Sequence, residues 1–197
     1  DLNVALIGYR FMGKAHSHAY RDADFFFPCD TKPVMKVICG RSEGPLQAAA
    51  DAWGWEEIDT SWERVIARDD IHVVDIASPQ NTHRDIAVAA AQAGKHVLLE
   101  KPMALNEAEA REMLDAVRAA RVKHMIVFNY RRVPAVAYAR RLIEEGKIGR
   151  VFHFRGAYLQ DWIVDENFPL IWKLRAETAG SGAHGDLNAH LIDLARY

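Results

Sequence analysis

Apolar residues gather in short runs over the first two-thirds of the chain, at residues 2–7, 34–39, 71–77, 96–99 and 124–128. Runs of this length with little polar interruption predict strands buried on both faces, as in a parallel sheet. Between them the pattern turns helical, over 12–20, 44–53, 61–68, 82–93 and 107–121. Asn106 with Glu109 three residues on predicts a capped helix start, and Gly94 a helix end ahead of His96. Strands and helices alternating in this way predict a doubly wound α/β domain.

The pattern changes after Asn129. A helix is expected over 133–145, stopped by Gly146, and then a longer strand over 150–160 carrying Phe152, Phe154 and Tyr158 in aromatic–polar alternation. That alternation predicts an antiparallel sheet with one covered face. Residues 161–181 read as loop, and a helix is under way at Tyr197. One strand does not make a stable sheet. The expected organisation is a complete α/β domain over 1–129 and an incomplete α+β domain over 130–197, the N-terminal part of a longer protein.

Composition changes this picture little. Of 197 residues, 50% are hydrophobic and 26% charged, the balance of an ordinary globular protein. A net charge of -2 makes no electrostatic case for nucleic acid or an anionic membrane. No apolar run approaches the roughly eighteen residues of a membrane span, and no basic-then-apolar leader is visible. Cys29 and Cys39 are too few for a disulfide framework and lack metal-site spacing, so a reducing cytoplasm is expected.

Candidate chemistry sits where the runs end. Gly8-Tyr9-Arg10-Phe11-Met12-Gly13 leaves the first strand and opens the first helix, the setting in which a glycine-rich turn binds pyrophosphate at a helix N-terminus. Arg10 replaces the middle glycine; its Cβ limits backbone approach, and its guanidinium can contact phosphate instead. The second run ends in Cys39-Gly40-Arg41-Ser42, with no carboxylate for the ribose hydroxyls. Arg41 and Ser42 suit a 2′-phosphate and hence NADP, while Ser42 or Glu43 could serve NAD. Ser78-Pro79-Gln80-Asn81-Thr82-His83 and Glu100-Lys101-Pro102 follow later strands at the same sheet edge. The first segment also reads as a plain turn with Thr82 as helix cap. Near the end, Asp186 and His190 stand four apart; if a helix starts near Gly185 they share one face, and the carboxylate can orient the ring as a general base.

Several neighbours have simpler readings. His16 and His18 read as polar edge residues of the first helix, and Phe25-Phe26-Phe27-Pro28 as an extended loop packing on the domain. Trp53, Trp55 and Trp62 read as core and loop anchors. His184, Asp186, His190 and Asp193 do not make a persuasive metal site, so none is expected.

The Gly8–Gly13 turn, the Ser78–His83 segment, the run from Ala93 to Pro102 and the segment from Gly182 to Asp193 occur in order at suitable distances. Together they resemble the glucose–fructose oxidoreductase, inositol dehydrogenase and rhizopine-catabolism (Gfo/Idh/MocA) family of sugar dehydrogenases, over essentially the whole chain. The resemblance implies an N-terminal Rossmann domain binding NAD or NADP. It also implies a C-terminal α/β domain whose open antiparallel sheet forms the substrate pocket and an oligomer interface, giving a dimer or tetramer at full length. Lys101 matches the family's conserved lysine, and Asp186 and His190 its catalytic Asp-x-x-x-His. Asn129 and Arg131 match a segment bordering the nicotinamide. Cofactor contacts are thus expected from Gly8, Arg10, Phe11, Met12, Gly13, Gly40, Arg41, Ser42, Ser78, Pro79, Asn81, His83, Glu100, Lys101, Asn129 and Arg131. Trp172-Lys173 departs from the Trp-Arg of many relatives. The implied activity is hydride transfer between a sugar, inositol or related polyol and the nicotinamide. NAD-dependent glycoside cleavage and a non-catalytic dinucleotide-binding regulator are the alternatives.

Overall fold

A computed structural model describes residues 1–28 and 30–197, and Cys29 lies outside the described residues. The chain divides into two compact units, Asp1–Ile126 and Val127–Tyr197. In the first, strands β1 (Leu2–Ile7), β2 (Pro33–Cys39), β3 (Glu57–Asp59), β4 (Val73–Ile76), β5 (His96–Glu100) and β6 (His124–Val127) lie in the order β3-β2-β1-β4-β5-β6. The pairs β1–β2, β1–β4, β2–β3 and β4–β5 are parallel. Helices α1 (Phe11–Phe26), α2 (Glu43–Trp53), α3 (Trp62–Ile66), α4 (His83–Gln92) and α5 (Glu107–Ala120) connect them. This is the doubly wound arrangement, and its strand order reverses between β1 and β4, where such sheets bind ligands.

Burial explains why the central runs became strands, whereas β6, expected to be covered on both faces, has His124 and Met125 exposed. Val4, Ala5, Leu6 and Ile7 of β1 are buried, with alternate side chains entering opposite cores. Ala5 and Ile7 pack with Val37, Val74, Ile76 and the inner faces of α4 and α5, whereas Val4 and Leu6 pack with Ile38, Leu46 and Trp55. Trp55 is an anchor, its Nε1 donating to Ser17 Oγ at 2.9 Å and its ring meeting Tyr20 edge-on. The Asn106 cap forms as expected: Glu109 N donates to Asn106 Oδ1 at 3.0 Å, and the Glu109 carboxylate accepts from Leu105 N and Asn106 Nδ2. Gly94 ends its helix at φ 74°.

The structure corrects several expectations. β3 has no apolar run to announce it; ion pairs of Arg68 with Glu57 and of Arg64 with Asp59 hold this short edge strand. Helix α1 continues to Phe26, so Phe25 and Phe26 are exposed helix-end residues rather than a packed loop, and Phe27 is exposed as well. Thr82 stands at the cap position of α4, but its hydroxyl donates to Pro79 O at 2.7 Å instead of capping the helix.

In the second unit, helix α6 (Pro134–Glu144) forms as expected, followed by the short α7 (Ala176–Ala179) and α8 (Ala189–Arg196). The strand expected over 150–160 is not formed, and among the described residues no strand follows β6. Aromatic alternation marks a segment suited to a sheet, but the ladder needs a partner strand, and none pairs with it here. Among the described residues no helix is long and apolar enough to cross a membrane.

Candidate active site

The glycine-rich turn is shaped by what it cannot hold. Gly8 has φ 113°, and a Cβ there would sit 2.6 Å from Ala77 O at the end of β4. A Cβ on Gly13 would lie 2.1 Å from Gly8 O, so the turn folds against itself and against β4 only without side chains. The first bond of α1 runs from Lys14 N to Arg10 O at 2.9 Å. The amides of Phe11, Met12 and Gly13 therefore precede the helical ladder and, with the helix dipole, form an anion-binding end. With Gly8 and Gly13 as its two Cβ-free corners, this helix N-terminus is a cradle that fits a dinucleotide pyrophosphate. Arg10 is exposed, its guanidinium 5.5 Å from the Tyr9 ring centroid.

Gly40 carries the second constraint. A Cβ would come within 2.3 Å of the Tyr9 ring, so Tyr9 occupies the room that a longer residue at the end of β2 would need. Arg41 and Ser42 follow on the exposed side, and Ser42 stands at the N-terminus of α2 with no capping bond from its hydroxyl. Ser78 lies beside Gly8, its amide nitrogen 2.8 Å from the same ideal Cβ. Its hydroxyl bonds Thr82 Oγ1 at 2.6 Å, closing a tight turn over Gln80–Thr82 that leaves Asn81 exposed. The structure thus gathers Gly8, Gly13, Gly40, Ser78 and Pro79 around the carboxyl ends of β1, β2 and β4.

His83 and Glu100 face inward. His83 is buried, with Nδ1 3.1 Å from Pro102 O and Nε2 3.0 Å from Ser78 O, tying the two loops together. Burial outweighs these carbonyls and holds its pKa below the usual histidine value. Glu100 is buried too, and His16, read from the sequence as a polar edge residue, is instead buried with its imidazole between two carboxyl groups. Its Nδ1 is 2.9 Å from Asp75 Oδ2 and its Nε2 3.0 Å from Glu100 Oε1. Burial opposes the charge, but hydrogen bonds and charge from Asp75 and Glu100 prevail and raise the His16 pKa to about 10. Tyr20 completes the group, its hydroxyl donating to Asp75 Oδ2 at 2.8 Å. His18, two residues on, is exposed and pairs with Asp22, as an edge residue would. The sequence signal for this cluster was Asp75 itself, a carboxylate inside an otherwise apolar run.

In the second unit, the final helix begins with a turn wound in the wider π manner over His184–Asn188 before α8. A helix near Gly185 was expected; the π turn was not, and such turns concentrate at functional sites. His190 is buried and stacks on Tyr130, with ring centroids 4.3 Å apart and planes 27° from parallel. Phe128 and Tyr158 meet the imidazole edge-on at 6.1 and 6.0 Å. The Tyr130 and Tyr158 hydroxyls are 2.5 Å apart, Gln160 Nε2 donates to Tyr158 at 2.9 Å, and Trp162 Nε1 donates to Gln160 at 2.9 Å. The bond to Tyr158, then burial, then the charges of Tyr158 and Asp186 push the Tyr130 pKa up to about 12. Lys173 Nζ lies 3.5 Å from Asp186 Oδ2, a pairing the sequence did not suggest. Asn129 is exposed. Arg131, expected at the nicotinamide, commits its guanidinium to both oxygens of buried Asp193, joining the turn before α6 to α8. Among the described residues no group of three His, Cys, Asp or Glu side chains is arranged to hold a metal ion.

Comparison with known proteins places the chain in a family. Residues 2–128 match an oxidoreductase family with an NAD-binding Rossmann fold, and residues 136–197 match the GFO/IDH/MocA C-terminal domain. Levoglucosan dehydrogenase of Pseudarthrobacter phenanthrenivorans is 52% identical over 100% of this chain and 51% of its own length. D-apiose dehydrogenase of Paraburkholderia graminis is 31% identical over 98% of this chain and 48% of its own. A solved levoglucosan dehydrogenase in complex with NADH and levoglucosan is 51% identical, with a TM-score of 0.97 over 100% of this chain and 53% of that one. The chain therefore spans about half the length of these relatives. It belongs to the Gfo/Idh/MocA family of oxidoreductases, and its first unit is that family's NAD-binding Rossmann domain.

Proposed function

We propose that the protein oxidises a hydroxyl of a sugar, cyclitol or related polyol, with Lys101, Asp186 and His190 as its acid–base set. The domain boundary we propose is at 129/130, with the nucleotide held by the first domain and the sugar by the second. The reading is carried by a chain 52% identical over its whole length to levoglucosan dehydrogenase that also bears this lysine, aspartate and histidine in segments resembling the family's motifs. Levoglucosan is the first substrate to test, and the full-length protein is proposed to be a cytoplasmic homo-oligomer.

When bound, the nicotinamide ring supplies the hydride acceptor. The amides of Phe11, Met12 and Gly13 hold the pyrophosphate, and Gly40, Arg41 and Ser42 face the adenosine ribose. NAD fits the family, whereas Arg41 favours NADP. His190 accepts the hydroxyl proton, with Tyr130 fixing the plane of its ring and Asp186 offsetting the charge it gains. Lys101 donates a hydrogen bond to the same oxygen and stabilises the developing alkoxide.

The test is the full-length protein assayed for nicotinamide reduction with NAD and NADP separately, against levoglucosan, monosaccharides and inositols. Lys101→Ala and His190→Ala should each lower turnover by about 10²–10⁴-fold with cofactor affinity nearly unchanged. A His190→Ala protein with most of its turnover would refute the assignment. Retained cofactor with no net reduction, together with cleavage of a glycoside, would point to glycoside cleavage instead.

A further inference from the structure

Both ring nitrogens of His16 face carboxyl oxygens, Asp75 at 2.9–3.0 Å and Glu100 at 3.0 Å. A neutral imidazole has one N–H and could satisfy only one of them. Two carboxyl acceptors around a buried ring call for the doubly protonated form, and the raised His16 pKa agrees. Glu100 reaches onward: its Oε2 accepts from the main-chain N of Lys101 at 3.1 Å. A chain of contacts therefore runs from α1, the helix that opens at the phosphate turn, through Glu100 at the end of β5, to the backbone that carries Lys101. His83 holds the far side of the same loop through Pro102 O.

We infer that His16 is a positioning residue for Lys101, acting through the side chain of Glu100 and referenced to the sheet by Asp75. Breaking a buried ion pair is costly, but an apolar replacement of the whole group is often as stable, so stability alone does not account for the cluster. What they provide here is direction, because a carboxylate held at one oxygen by His16 presents the other to the Lys101 amide in one orientation. The same helix opens at the cofactor turn, so the lysine is referenced to the element that carries that turn. This inference rests on the proposed role of Lys101.

The test is a double-mutant cycle in the full-length protein, joined to NMR of the Lys101 amide. His16→Asn should lower kcat by about ten- to hundredfold, the scale of a misplaced catalytic group, with KM and cofactor affinity changed less than about threefold. In a Lys101→Ala background the same substitution should change kcat less than about twofold, because the positioned group is already gone. An equal loss in both backgrounds would mean that His16 serves the fold alone and would overturn the inference. The NMR arm needs no variant. Asp75 from β4, Glu100 from β5 and Tyr20 from α1 are the titratable groups facing the ring. The Lys101 amide resonance should shift in step with deprotonation of the His16 ring; an amide that ignores that titration also overturns the inference. Should His16→Asn fail to fold, the wild-type titration decides. Full turnover in Lys101→Ala alone would instead remove the proposed catalytic role of the lysine, leaving the amide titration to judge the positioning.

Discussion

Gly13 and Arg41 show how differently single residues disclose themselves. Gly13 is legible because its spacing from Gly8 at a strand–helix junction has one physical use, and the structure gives the reason as a missing Cβ 2.1 Å from a carbonyl oxygen. Gly13→Ala must move backbone, not a flexible side-chain tip. The expected result is a loss of about 1–3 kcal/mol in stability, typical of overpacking, together with at least a tenfold loss of NAD affinity. Calorimetric binding and thermal melts would measure both, and unchanged binding would count against the cradle. Arg41 is legible only as a charge in a suggestive place, and its exposure fits either cofactor. Arg41→Ala separates them: if the guanidinium meets a 2′-phosphate, NADP affinity should fall about tenfold or more while NAD affinity holds, as read by titrating each dinucleotide. His16 was misread because helical periodicity locates a face but not the partner opposite it. Its partners lie 59 and 84 residues away in sequence. Lys173 is visible in the sequence as a departure from a family motif, but its pairing with Asp186 is not, since only the folded chain brings the two together.

At the scale of elements, legibility followed burial. β1 matches its apolar run from end to end because both faces are covered, so the run and the ladder have the same limits. β3 is three residues of mixed polarity at the sheet edge, laddered to β2 and ion-paired to Arg68, Arg64 and Lys36, contacts that no local pattern encodes. The segment over 150–160 errs the other way: its alternation is real, but hydrogen-bond partners decide whether alternation becomes a strand. Its tyrosine nonetheless reaches Tyr130 and the edge of His190, so the segment contributes to the second unit without a ladder. Capping was legible at Asn106, where donor and acceptor are three residues apart, and misled at Thr82, whose hydroxyl turns to Pro79 O. Asn106→Ala removes the acceptor for Glu109 N and a donor to the Glu109 carboxylate. It should destabilise the first unit by about 1 kcal/mol without altering cofactor affinity. Denaturant unfolding at constant slope would measure this, and a loss below a few tenths of a kcal/mol would show the cap to be idle.

Across the whole molecule, two buried histidines set opposite limits on stability. His16 has a folded pKa of about 10 against an ordinary value of 6.5, so the folded state holds its proton the more tightly. Its stabilising contribution is complete below pH 6.5 and drains away as pH rises toward 10. His83 runs the other way: burial lowers its pKa, so its contribution is present above 6.5 and is lost as pH falls through its depressed folded value. The Cys39 thiol, buried and raised to about 12 from 9.0, adds to the alkaline loss only above pH 9. Between 6.5 and 9 the decline therefore belongs to His16 among these groups. Wild-type protein should lose unfolding free energy steadily from pH 6.5 to pH 9, and His16→Asn, weaker at pH 6.5, should show a flatter line across that interval. The two slopes in denaturant titrations at half-unit steps decide the matter. Parallel lines would mean that His16 is neutral in the fold.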